Sequence, residues 1–316
     1  MSADRTVVIV AAAIFLAAFG VYVATLAPTV FFIDSGFLTV AAWSHGSAHP
    51  PGFPLFLMLT HLVTLLPMGN IAWRANLASA LFAALAAAAA AMVIAEILVT
   101  VVATRPVEKR KKAKVAVEPP ATAASPLVVA AAMVAGGLLL AFSRTLWAYA
   151  TVAEVYALNT FLICALLAVV LRWRGTRSVR LLYAAAILGG AGLGVHYLTF
   201  GFALLGVLFF VVRVGGLTLV RSRHFAIALG LGALATIAVY AYLPIAASGN
   251  PALNWGDPED LRQFVRHVTA KEYRSYVTAD EGEDQAGDLR RLVMRELGPA
   301  LVPVALLVAL IGLGAS

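Results

Sequence analysis

The sequence predicts an all-α polytopic membrane protein, and three observations carry that prediction. Hydrophobic residues make up 62% of the chain and charged residues 12%, with a mean hydropathy of +0.91. No water-soluble domain has that balance. Several apolar runs reach the length needed to cross the hydrocarbon core, where backbone groups must be satisfied internally, so the spans are helical. Lysine and arginine cluster in short segments between those runs. That pattern orients a membrane protein. It also accounts for the net charge of +7 without a nucleic-acid partner, which is not expected.

Taken in order, the spans fall at 6–27, 74–103, 126–142, 155–172, 180–196, 198–213, 224–246 and 298–315. The first run resembles a signal peptide, but its apolar core is too long, its charged leader is thin and Pro28 follows the only cleavage-like site, Thr25-Leu26-Ala27. It reads as an uncleaved span. Arg105, Lys109, Arg110, Lys111, Lys112 and Lys114 share one loop; Arg172, Arg174, Arg177 and Arg180 share the next on that side, followed by Arg213, Arg221 and Arg223. No lysine or arginine lies between Arg5 and Arg74. With the basic loops in the cytoplasm, 28–73, 143–154, the turn at His196 and 247–297 face outward.

This parity forbids a crossing by the apolar run 53–66, which is also short for ~30 Å of hydrocarbon. The loop 28–73 is therefore expected to hold two juxtamembrane helices, 36–45 and 53–66, joined by the turn His49-Pro50-Pro51-Gly52. The segment 104–125 is a Pro- and Lys-rich basic linker facing anionic lipid. The run Ala83 to Ala91 and the glycines Gly189, Gly190, Gly192 and Gly194 let neighbouring helices approach closely. No strand precedes those glycines, so they are no dinucleotide loop. The loop 247–297 alternates acids and bases, and Leu261, Phe264, Val265 and Val268 form the apolar face of an amphipathic helix lying on the membrane. The single cysteine, Cys164, sits in an apolar run and excludes an intrachain disulfide.

The candidate site lies on the outward loops. Asp34 and Glu154 are the two acidic residues there before 247–297. Asp34 suits an N-cap near Gly36 and equally a general base at the edge of the bilayer, where desolvation strengthens its pull on a proton. His49 is not explained by the turn it opens and suits phosphate binding or proton transfer. His45 carries less weight and suits covering a helix end. Arg74 is either an interfacial anchor or a phosphate ligand. The turn 143–159 adds Arg144, Trp147, Tyr149, Glu154, Tyr156 and Asn159, with positions 144, 147, 151 and 154 on one helical stripe. An aromatic belt explains Trp147 and Tyr149, but Glu154 is too costly to face lipid and is expected to point inward, with His196 beside it. Glu96 lies toward the cytoplasmic half of its span and is expected either to reach the interface or to pair with a neighbouring helix. In Asn254-Trp255-Gly256-Asp257-Pro258, Asn254 or Asp257 is expected to cap the following helix, and Trp255 offers a flat face to a sugar ring. These residues make a polar, aromatic pocket with two carboxylates, three histidines and two arginines; they do not name a reaction.

The order of these features resembles the GT-C class of membrane glycosyltransferases, in which the first outer loop carries an acidic residue and two juxtamembrane helices and a Lys/His-Pro-Pro motif opens the second. More closely, A-P-T-V-F-F-I-D-S-G-F-L-T-V-A-A with A-H-P-P-G-F-P-L-F resembles a bacterial membrane family of unknown function whose animal relatives are transmembrane protein O-mannosyltransferases. The blocks R-A-N-L-A-S-A-L-F (74–82), L-W-A-Y-A-T-V-A-E-V-Y-A-L-N (146–159) and N-W-G-D-P (254–258) extend the likeness in the same order. The resemblance implies a single GT-C-like transmembrane domain over 1–316. It implies an inverting transfer of a sugar, mannose or another hexose, from a polyprenyl-phosphate donor to a protein, lipid or glycan hydroxyl at the outer face of a bacterial cytoplasmic membrane. Asp34 would then be the catalytic base and His49 and Arg74 donor-phosphate ligands, with Arg144, Glu154, Tyr156, His196, Trp255 and Asp257 completing the substrate pocket. The family often has Glu where this chain has Phe37, so a metal held by two carboxylates there is not favoured and no cofactor is expected. Relatives continue with further spans or a soluble tail, so the chain is expected to be truncated at Ser316. A transporter or flippase and a non-catalytic scaffold are the competing classes; the first would show internal repeats and helices broken at mid-membrane.

Overall fold

The computed structural model describes residues 3–32, 34–103, 125–271 and 273. The chain forms two compact units, Met1–Thr269 and Ala270–Ser316, and the described helices belong to the first. The linker 104–125 (apart from Ser125), the rest of the loop 247–297 and the run 298–315 lie outside the described residues. Among the described residues there are helices, one isolated parallel bridge and no strands.

The helices follow the apolar runs closely. α1 spans Ala3–Ala24, α2 Ser35–Trp43, α3 Pro54–Thr64, α4 Ile71–Ala103, α5 Pro126–Ala141 and α6 Arg144–Ala150. α7 spans Val155–Thr176, α8 Val179–Val220, α9 Arg223–Tyr240, α10 Tyr242–Ser248 and α11 Leu261–Val268. Five of them (α1, α4, α7, α8, and α9 with α10) are long and apolar enough to cross a membrane, and α5 with α6, bent by 64°, makes a sixth. The chain is a multi-pass membrane protein. α3 has 11 residues and rises only about 16 Å, so it cannot span. The two short helices expected within 28–73 are present, as α2 and α3.

α4 is the hub, packing against α1, α3, α5, α6 and α7. Its alanines explain this: Ala83, Ala84, Ala86, Ala87 and Ala91 are fully buried, and small side chains bring helix axes close. At the end where α1 starts, Arg172 of α7 joins Asp4 of α1 at 2.8 Å and Glu96 of α4 at 3.3 Å. This gives Glu96 a partner on a neighbouring helix, one of its two expected placements. At the other end Tyr22 of α1 donates to the Ala141 carbonyl of α5 over 2.7 Å.

α8 has 42 residues, about 63 Å of helix and twice what one crossing needs. Its backbone breaks at His196 (φ −148°, ψ 83°), and the chain turns back on itself there. Gly189 faces Leu204, Gly192 faces the ring of Phe200, and Arg177 donates from Nη1 to the Val214 carbonyl over 3.1 Å. These pairings are those of an antiparallel hairpin with His196 at its tip. The two spans expected at 180–196 and 198–213 are its arms. α9 then returns alongside the first arm, where the Gly190 backbone meets that of Gly232 so closely that a Cβ on Gly190 would collide with it. Thr236 donates to the Gly190 carbonyl and Tyr240 to that of Leu193, each over 3.0 Å.

Following the chain through these passes puts Asp34, Glu154, His196 and Trp255 at one end of the bundle. Arg174, Arg177, Arg213 and Arg221 fall at the other. In a Cys164→Ser background, single cysteines replacing Phe32 and Arg221, both exposed, are expected to react with a membrane-impermeant maleimide from opposite faces of sealed vesicles. Labelling of both from one face would refute the pass count.

Candidate active site

The site is assembled by three loops that α4 and one backbone bridge hold in place. Asn76 of α4 is fully buried and donates from Nδ2 to the carbonyls of Ala27 (2.9 Å) and Thr29 (3.1 Å), and its Oδ1 accepts from the Ala153 amide at 2.7 Å. One turn on, the Ser79 hydroxyl accepts from the Glu154 amide at 3.1 Å and donates to the Glu154 carbonyl at 3.3 Å. One helix face thus pins the segment before Asp34 and the segment carrying Glu154. The third loop is tied in by Ser47. Its amide donates to the Leu253 carbonyl (3.1 Å), its carbonyl accepts from the Trp255 amide (3.2 Å), and its hydroxyl donates to the Trp255 carbonyl (2.9 Å). Tyr242 adds a hydrogen bond from its hydroxyl to the Gly46 carbonyl at 3.0 Å.

Asp34 stands at the N-cap position of α2, but its side chain makes no capping hydrogen bond. The carboxylate is 43% exposed and lies 3.7 Å from His49 Nε2. The bland capping role is thus vacant, and the group is available. Burial pushes the His49 imidazole below its ordinary range, and the charge of Asp34 pulls it back in part. Behind Asp34 sits Glu154, only 2% exposed, at the N-cap of α7, with Oε1 lacking any hydrogen-bond partner among the described residues. Burial first, and then the negative charge of Asp34, raises its pKa to about 7, against the pull of the Asp34 and Val155 backbone amides. A buried carboxyl beside a second carboxylate is thus disfavoured in its ionised form.

Aromatic rings wall this centre. His49 contacts Phe53 (ring centroids 5.0 Å) and Trp255 (6.1 Å), and Phe37 meets Trp255 edge-on at 5.6 Å. Phe53 stacks on His196 at 6.2 Å, His196 contacts Tyr156 at 5.8 Å, and Tyr156 contacts Tyr149 at 4.6 Å. Thr199 places His196 through Nδ1 (3.0 Å) and accepts from Asn159 Nδ2 (3.1 Å).

Of the residues expected here, Asp34, His49, Glu154, Tyr156, His196 and Trp255 therefore come together. The other three do not join them directly. Arg74 spends its guanidinium on α3, donating to the Thr64 and Leu66 carbonyls at the far end of that helix from His49. Arg144 is exposed at the start of α6 and makes no hydrogen bond or ion pair among the described residues. Asp257 accepts from Asn254 Nδ2 at 2.8 Å and shapes the turn. Two local expectations also change. The stripe 144–147–151–154 is broken, because α6 ends at Ala150 and α7 begins at Val155. The cap of α11 is Asp260, which accepts from the Gln263 amide at 2.7 Å, because Asp257 is committed to the preceding turn. His45 turns away to His61 (ring centroids 3.4 Å). In the sequence Asn76 and Ser79 are marked only as two small polar residues three apart in an otherwise apolar run.

No solved structure matches the chain. A family described as the protein O-mannosyl-transferase TMEM260 N-terminal domain matches residues 34–215, more than half of the chain, from Asp34 through both arms of α8. The mouse (Mus musculus) protein O-mannosyl-transferase TMEM260 is 28% identical over 280 residues, which is 84% of this chain and 35% of that protein. The chain spans about a third of the length of that relative. The matched block holds Asp34, His49, Asn76, Ser79, Glu154 and His196, and on that match this chain belongs to the TMEM260 N-terminal-domain family.

Proposed function

We propose that this chain carries the membrane-embedded centre of a GT-C-type glycosyltransferase. It moves a hexose, mannose by analogy with the relative's name, from a polyprenyl-phosphate donor to an acceptor hydroxyl, a protein serine or threonine foremost. The carrying observation is the Asp34 carboxylate, free of its capping bond, half-exposed and beside His49. The cationic ends of the helices at the opposite side favour an outward-facing site in a bacterial cytoplasmic membrane. A transporter would break its helices at mid-membrane, whereas the breaks in α8, at His196 and Gly216, lie at the ends of its arms.

In this reading Asp34 accepts the proton of the acceptor hydroxyl as its oxygen attacks the anomeric carbon. The bond from that carbon to the phosphate oxygen breaks, and the polyprenyl phosphate leaves from the opposite face with its electron pair, inverting the anomeric centre. His49 orients Asp34 and presents its ring to the departing phosphate, with His196 and Tyr156 further along the same wall. Trp255 supplies a flat apolar face for the sugar, with Phe37 set edge-on against it. Burial beside Asp34 favours the protonated form of Glu154, whose carboxyl also holds the Asp34 backbone amide.

Three outcomes test it. With purified protein and synthetic polyprenyl-phosphate mannose, Asp34→Asn is expected to lower sugar transfer or release by at least about a hundredfold while leaving insertion and folding intact. Wild-type turnover in the variant would remove Asp34 from the mechanism. Chelation with EDTA is expected to leave turnover unchanged, and loss restored by added divalent ion would contradict the metal-free route. The third concerns Glu154. Its folded pKa lies above the ordinary 4.5, so the fold gives up stability as pH rises from about 4.5 towards 7 and the unfolded carboxyl ionises first. Thermal melts in detergent are expected to show Glu154→Gln gaining on wild type across that window, by up to about 3 kcal/mol at neutral pH. A constant gap would show that Glu154 is ionised in the fold.

A further inference from the structure

The apolar face of α11, Leu261, Phe264, Val265 and Val268, is the one a membrane surface would take, and within the protein the helix buries another residue. Leu261 is 77% exposed, Val265 is exposed too, and His267 is the residue of α11 that is buried, at 1% exposure. Its imidazole is wedged between two turns of the active-site wall. Gly52 (φ +94°) closes the His49-Pro50-Pro51-Gly52 turn, and a Cβ there would stand 2.9 Å from His267 Nε2. Gly256 (φ +71°) lies in the Asn254–Asp257 turn, and a Cβ there would stand 2.6 Å from His267 Nδ1. Both positions have left-handed backbone and no room for a side chain, so glycine is required twice over.

Neither ring nitrogen has a hydrogen-bond partner among the described residues; the Ala48 carbonyl faces the ring without closing a bond of ordinary geometry. Burial, with repulsion from His49, lowers the imidazole pKa to about 4, so the ring is uncharged under working conditions and makes a poor ligand for phosphate. A buried, unpaired, neutral ring contributes through its shape and place.

We propose that His267 is a positioning residue for the transfer site: clamped between Gly52 and Gly256, it sets the His49–Gly52 turn against the Asn254–Asp257 turn and so fixes His49 at Asp34 and Trp255 beside His49. The kinetic part of this inference rests on the transfer reading above; the structural part does not.

The test uses the full chain in lipid nanodiscs, with hydrogen–deuterium exchange read over 47–57 and 252–258 alongside transfer kinetics. His267→Ala is expected to raise exchange several-fold in both turns, leave the centres of α4 and α7 unchanged, and lower kcat about a hundredfold with the donor KM within about threefold, as for displaced reacting groups. His267→Asn, neutral and planar, is expected to restore most of kcat. Unchanged exchange in His267→Ala would overturn the clamp. An inactive His267→Asn with wild-type exchange would overturn positioning in favour of a chemical role. If wild type itself transfers no sugar, the transfer reading fails while exchange still decides the clamp.

Discussion

A single backbone bridge sets the geometry of the end of the bundle that holds Asp34. Ser47 and the Leu253–Trp255 segment lie more than two hundred residues apart, yet they exchange two main-chain hydrogen bonds and a hydroxyl contact. Closing so long a loop is entropically costly, and three hydrogen bonds could not hold it alone. The membrane does the rest: once α1 and α9 are inserted, both loops emerge at the same surface, and the bridge has only to select their register. Without it His49 and Trp255 would sit on independent loops, and the aromatic wall beside Asp34 would have no fixed spacing.

The second constraint is desolvation. Asn76 and Ser79 place two side-chain polar groups in the most densely packed helix of the bundle, where unpaired ones would be costly. They are satisfied by backbone groups of the loops they hold, so the loops become part of the core. Glu154 arrives on the same scaffold, and its burial beside Asp34 disfavours its ionised form.

Much of this was legible from residues alone. The lengths of the apolar runs and the parity argument from arginines and lysines were enough to separate spanning helices from short ones. His196 was placed at an outer turn, where the α8 hairpin has its tip. What could not be read was which polar residues the tertiary structure consumes. Arg74 looks the same in sequence whether it binds an anion or a helix end, and Asp257 and Asp260 are equally good caps until the turn claims one. His267 was hidden for a stronger reason: periodicity assigns buried positions to apolar residues, and here an imidazole fills a gap left by two glycines.

The use of Arg74 has an electrical consequence. α3 is short, its first residues follow directly on the His49–Gly52 turn, and its carbonyl end is closed by the Arg74 guanidinium. A helix carries partial positive charge at its amide end and partial negative charge at its carbonyl end, and a cation at the latter neutralises it. The uncompensated pole of α3 is then the one beside His49. An arginine some three helical turns away thereby biases the potential at the centre toward negative charge without touching it.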